Sequence, residues 1–139
     1  MRTLSLLLSL AATFAVSGAP TSPSVTVRSS DYGRILFDGR GKALYAFTRD
    51  SRGRSRCSGA CATAWPPFVV SQKPRAAAGV KASLIGTIRR SDGKLQVTYR
   101  GRPLYFYVGD RKPGQVLCQN VKEFGGLWLV VRPGGTLVR

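Results

Sequence analysis

The chain contains no histidine, and its one methionine is Met1. Without imidazole there is no ordinary ligand for zinc, copper or haem, and no base for a Ser-His-Asp or Cys-His arrangement. Without an internal methionine there is no thioether axial ligand. Acid groups are scarce: six aspartates and glutamates stand against 22 lysines and arginines in 139 residues, a formal net charge of +16. Carboxylate chemistry is thinly provided for, and a hydrolase would have to be built on Asp50 and Asp110. There is no Gly-rich phosphate loop. No stretch of useful length repeats its apolar residues at the helical period of about 3.6. No metal and no cofactor is expected.

The first residues have the layout of an export signal. Arg2 supplies a positive start, Leu4 to Val16 is a short apolar run, and Ser17-Gly18-Ala19 offers small residues for cleavage. Residues 1–19 are therefore expected to be removed, with cleavage one or two residues earlier as an alternative because Pro20 would be an awkward first residue. The run falls short of the about 20 residues that a membrane span needs, and no other segment approaches that length. No cysteine adjoins the cleavage point, so no lipid attachment is expected. The expected product is a single domain, residues 20–139, secreted or periplasmic and without a transmembrane segment.

Its basic surface favours anionic partners: acidic envelope polymers, anionic lipid head groups, free DNA or another envelope protein. Sequence-specific nucleic-acid binding is not expected, since the charges are scattered along the chain, and such a composition also serves solubility alone. The densest group, Arg49, Arg52, Arg54 and Arg56, lies in one loop and is the candidate contact for an anionic partner.

Three cysteines in an exported chain imply one disulfide and one remaining thiol. Cys57 and Cys61 can be bridged through a turn at Ser58-Gly59, and this local pairing is favoured. Cys118 paired with either of them is the alternative; left alone, it is a buried thiol. The Cys57/Cys61 pair also admits a redox reading, because the neighbouring arginines would stabilise a thiolate. Its spacing is one residue longer than Cys-x-x-Cys and no helix start is evident, which points to a structural clip.

Short runs rich in Val, Ile, Thr, Tyr and Phe, punctuated by Gly, Pro, Asp and Ser, fill the rest of the chain. Strands are expected at Val25–Arg28, Arg34–Phe37, Ala43–Thr48, Phe68–Val70, Leu84–Arg89, Leu95–Tyr99, Pro103–Val108 and Leu127–Arg132. A helical turn or two is expected near Ala60–Ala64, and tight hairpins at Asp38–Gly41 and Tyr99–Arg102. A pattern of tyrosine, aromatic and aspartate occurs twice, as Tyr45, Phe47, Asp50 and as Tyr105, Tyr107, Asp110. Arg34–Asp50 overlays Lys94–Asp110 without a gap. The likeness extends upstream, where Thr26–Asp31 resembles Thr87–Asp92, and downstream, where Trp65 before Phe68-Val69-Val70 parallels Trp128 before Leu129-Val130-Val131. The expected architecture is all-β: two fused repeats of short antiparallel strands, about 25–71 and 86–133, joined by a linker at about 72–85, forming one pseudo-symmetric small β domain.

These pieces resemble a family of small bacterial secreted proteins and lipoproteins that carry a Y-x-(F/W/Y)-x-x-D repeat. The resemblance rests on Tyr32–Leu36, Gly41–Tyr45, Cys57–Cys61, Trp65-Pro66-Pro67, Asp92–Tyr99, Gly101–Tyr105 and Gly125–Trp128. It implies an envelope or extracellular location and a tandem repeat, and it brings no established biochemical activity. Many members resemble lipoproteins; this chain departs from them in lacking the lipid-bearing cysteine.

The repeated residues admit two readings. In the structural one, Asp50 and Asp110 accept backbone N–H groups and order the loops that follow, while Tyr45 and Tyr105 bury their rings. In the functional one, the Tyr/Asp pairs meet on a pseudo-two-fold axis and form a polar site for a cation, a sugar or acid–base work. Trp65 is expected as a core anchor leading into an edge strand; exposed beside Tyr32 and Tyr99, it would instead stack on a ligand. The expected function is that of an exported, non-enzymatic structural or binding module. The alternatives are a thiol-disulfide or electron-transfer accessory protein using Cys57 and Cys61, and a weak hydrolase on Asp50 and Asp110.

Overall fold

The computed structural model describes residues 11–14 and 22–139, so the expected export signal lies almost wholly outside the described residues. Among the described residues the fold is all-β apart from one short helix and one 3-10 turn. Strands β1 (Ser24–Ser30) and β2 (Gly33–Asp38) form an antiparallel hairpin, and β3 (Tyr45–Phe47) follows. Then come helix α1 (Ala60–Ala64), β4 (Val69–Val70), β5 (Arg75–Ala76) and a 3-10 turn at Ala82–Leu84. The second half comprises β6 (Ile85–Arg89), β7 (Leu95–Tyr99), β8 (Arg102–Pro103), β9 (Val121–Glu123) and β10 (Gly126–Val130).

The hairpin of each half is set by its turn chemistry. The second closes over two residues, Arg100 (φ 49) and Gly101 (φ 77). Positive φ at both central positions is the turn whose twist matches that of the flanking strands. The first closes over three residues, with the Asp38 N–H bonded to the Lys42 carbonyl and Gly41 at φ 90. The gapless overlay of the two copies therefore conceals a difference of one residue in the turns.

The halves exchange their last strands. β4, from the first half, pairs antiparallel with β7 of the second, Val69 opposite Gln96. β10, from the second half, pairs antiparallel with β3 of the first, Trp128 opposite Phe47 and Val130 opposite Tyr45. The exchange is extended by the Leu36 N–H on the Val131 carbonyl and the Val97 N–H on the Phe68 carbonyl. β4 is an edge strand, which suits its entry from Pro66-Pro67.

The strands differ from the expected ones in three places. The segment read as a linker, 72–85, contains β5, which pairs in parallel with β1; two residues are too few to show alternation in sequence. The strand expected over Pro103–Val108 ends early, with Tyr105 making isolated bridges and Val108 58% exposed. Its apolar residues indicated a covered strand, but the chain leaves the sheet after Tyr105. β9, in a polar stretch with little β signal, was not expected.

Alternation along β3 and β10 divides the interior into two clusters. Leu44, Ala46, Leu129 and Val131 face one, together with Val25, Leu36, Phe68, Val97 and Leu104. Tyr45, Phe47, Trp128 and Val130 face the other, with Ile35, Phe37, Cys57, Cys61, Trp65 and Tyr105. Each cluster draws on both halves, so neither half has a core of its own.

Candidate functional site

The two copies of the repeated pattern meet. Tyr45 and Tyr105 form an antiparallel bridge in which each N–H bonds the other's carbonyl at 2.9 Å, so the local two-fold axis passes between them. The side chains then cross over. The Tyr45 hydroxyl donates to Asp110 Oδ2 at 2.6 Å, and the Tyr105 hydroxyl donates to Asp50 Oδ2 at 2.7 Å. Each aspartate uses its other oxygen on its own loop: Asp50 Oδ1 accepts the Arg56 N–H at 2.7 Å, and Asp110 Oδ1 accepts the Leu117 N–H at 2.9 Å. Loop ordering and meeting at the axis, posed as alternatives by the sequence, are here two halves of one arrangement.

Aromatic rings surround the axis. Phe47, Trp128 and Trp65 stack in series, with centroids 4.2 and 4.1 Å apart and planes within 6°. Tyr45 meets Trp65 edge-on and Tyr105 meets Trp128 edge-on, each at 5.1 Å. Glu123 satisfies both indoles: its carboxylate accepts the Trp65 N–H at 2.7 Å and its carbonyl accepts that of Trp128 at 3.2 Å. Trp65, Tyr45 and Tyr105 are fully enclosed and Asp110 is 1% exposed, so none of them offers a surface to a ligand. Tyr107 is half-buried against Trp65. Tyr99, like Trp65, is buried, which leaves Tyr32 as the exposed member of the proposed stacking trio.

Burial pushes the Asp50 and Asp110 carboxyls above the ordinary carboxylate range, although the tyrosine hydroxyls and backbone donors pull the other way. Burial, with the aspartate opposite, pushes both phenols up, so Tyr45 and Tyr105 remain donors. Because the folded carboxyls bind protons more readily than unfolded ones, their contribution to stability rises as pH falls through the raised values and is lost as pH rises through them. The melting temperature of the native protein is therefore expected to increase as pH drops from neutral toward the carboxylate range. Asp50→Asn combined with Asp110→Asn should flatten that slope; an unchanged slope in the double variant would refute this account.

A polar chain unforeseen from the sequence backs Tyr105. Its hydroxyl lies 2.6 Å from Ser55 Oγ, which accepts from Arg90 Nη1 at 2.9 Å. Arg90 also donates to Gln96 Oε1 at 2.8 Å and to the Cys57 carbonyl at 2.6 Å, and Gln96 donates to the Leu104 carbonyl at 2.8 Å. The Arg90 Nε–H is buried without a hydrogen-bond partner; Asp92 Oδ2 stands 3.9 Å away. Arg90, just after β6, is held inside by Ser55 and the Cys57 carbonyl of the disulfide loop, and Gln96, in β7, is enclosed between Arg90 and the Leu104 carbonyl.

Cys57 and Cys61 form the local disulfide, with Cα atoms 5.2 Å apart, and both are enclosed in the aromatic cluster. Thiol exchange needs access to a sulfur, and 1% and 6% exposure leave little. Cys118 carries no disulfide and is half-buried, and burial pushes its thiol up.

The four loop arginines disperse. Arg49 lies over Gly125 and Gly126 and donates to the Phe124 carbonyl at 3.2 Å. Arg52 lines a cleft with Arg100 and Arg102, Arg54 lines a smaller one with Arg89 and Arg90, and Arg56 is exposed.

Two segments of the chain, residues 26–69 and 86–132, each match the family model described as a secreted repeat of unknown function. No curated protein and no solved structure matches the chain. No helix among the described residues is long and apolar enough to cross a membrane.

Proposed function

The chain belongs to the family of secreted repeats of unknown function, and from that premise we propose that it is a non-enzymatic binding module that engages anionic polymers of the cell envelope through its basic surface. The observation that carries this reading is where the acids are. Of six acidic residues, Asp50 and Asp110 hold the tyrosines and Glu123 holds a tryptophan. Asp38 ties its own turn through the Arg40 and Lys42 N–H groups, and Asp92 does the same through that of Lys94. Five of the six acids are thus spent on architecture, Asp31 being exposed, and the described residues contain only the Arg40–Asp38 and Arg90–Asp92 ion pairs. Most surface guanidinium groups thus face solvent with no internal counter-charge, a field that concentrates polyanions.

The test is chromatography of the native protein on heparin or an acidic polysaccharide. Retention at low salt is expected, with release before about 1 M, where the screening length falls to about 3 Å. Absence of retention, or elution indifferent to salt, would sink the proposal.

A further inference from the structure

We infer that the cleft formed by Arg52, Arg100, Arg102 and Arg139 is the subsite that grips consecutive oxyanion groups of such a polymer; the inference rests on the basic-surface reading and makes it local. The cleft has a volume of about 510 Å³, within the range of small-molecule sites of about 300–1,000 Å³. Its four cationic lining residues are all arginines, and none is in an ion pair among the described residues. A planar guanidinium fork matches the oxygens of a phosphate or carboxylate two at a time, which an ammonium does not. The arginines come from three separate segments: the loop after β3, the turn from β7 into the start of β8, and residue 139. Holding four like charges together is unfavourable until an anion lies between them.

The arginine stems lie on a shaped bed. Gly101, at φ 77, sits so close under Arg52 that an added Cβ would fall 2.5 Å from Arg52 Cγ. Gly135, at φ 92, sits likewise under Arg100, where an added Cβ would fall 2.8 Å from Arg100 Cβ. The Gly53 N–H on the Gly101 carbonyl, at 2.8 Å, fastens the loop bearing Arg52 to the turn bearing Arg100 and Arg102. The one acidic side chain in the lining, Asp50, already has both oxygens engaged, by the Tyr105 hydroxyl and the Arg56 N–H.

The experiment is calorimetric titration at low salt with two probes, inorganic tripolyphosphate and an oligogalacturonate, so that phosphate and carboxylate sources are told apart. Native protein is compared with the triple variant Arg52→Gln, Arg100→Gln, Arg102→Gln. The control is Arg34→Gln, Lys73→Gln, Arg111→Gln, which removes the same charge from exposed positions outside the cleft. The cleft variant is expected to lose about tenfold or more in affinity for the preferred probe, and the control about twofold. If the cleft variant does not hold its fold by circular dichroism, Arg139→Gln alone, at the last residue, is expected to weaken binding about threefold. Equal losses in cleft and control variants, or an unaffected Arg139→Gln, would overturn the cleft while leaving a diffuse basic surface intact. Failure of the native protein to bind either probe would overturn both.

Discussion

Trp128→Ala is expected to lower the unfolding free energy by about 3–5 kcal/mol, a large share of the about 5–15 kcal/mol that holds a domain together. Trp128 is fully enclosed and is the middle ring of the Phe47–Trp128–Trp65 stack. Phe47 and Trp65 come from the first half and Trp128 from the second. Its removal opens a cavity between halves and strips Tyr105 of its edge-on partner. The cavity cannot collapse easily, because the strand carrying it is pinned between β3 and β9. Urea titration with an unchanged slope and a lower midpoint is the expected record. A loss below about 1 kcal/mol, as for a surface substitution, would mean that the stack is not the keystone described. Because each cluster mixes both halves, the variant should still unfold in one step; two separated transitions would contradict the shared core.

Tyr45→Phe is expected to cost about 1.5–3 kcal/mol, the range for a hydrogen bond to a charged group. The lost hydroxyl is a donor to Asp110, which is 1% exposed, so no water replaces it readily. Tyr105→Phe should cost less, since Asp50 is only half-buried and water can take the place of the lost hydroxyl. The Tyr45 hydroxyl lowers the Asp110 carboxyl, so in the variant that carboxyl protonates more readily still. The deficit should therefore be larger at neutral pH than in mild acid. Thermal melts of both variants across pH decide the matter: a smaller effect for Tyr45→Phe than for Tyr105→Phe, or a deficit that grows in acid, would contradict the crossed-pair geometry.

Much of this was legible in the sequence because the duplication is written in residues with strong local meaning. The aspartates six and seven residues before the N–H groups they fix, the Cys57–Cys61 bridge and the helix at Ala60–Ala64 all follow from short-range chemistry. What was not legible is which half each partner comes from. Tyr45 is 65 residues from Asp110, and nothing local distinguishes a tyrosine that bonds its own aspartate from one that crosses over. The cleft arginines illustrate the same limit. Arg49, Arg52, Arg54 and Arg56 cluster in sequence and separate in space, whereas Arg52, Arg100 and Arg139 are distant in sequence and converge. Arginine stems lying over Gly101 and Gly135 could not be foreseen, because glycine there signals only a turn until the neighbour above it is known.

The exchange of final strands governs the order in which the molecule can be completed as it is made. β3, bridged at Tyr45 to Tyr105, gains its full strand partner only when residues 126–130 have been synthesised, so the first half keeps an open edge until the second is nearly complete. The reverse debt is settled early, since β4 already exists when β7 appears. A single repeat of this kind, on its own, could close its sheet only by borrowing the missing strand from a neighbouring copy. The fused chain amounts to that borrowed-strand pair with its two members tethered, so that the lender is always at hand.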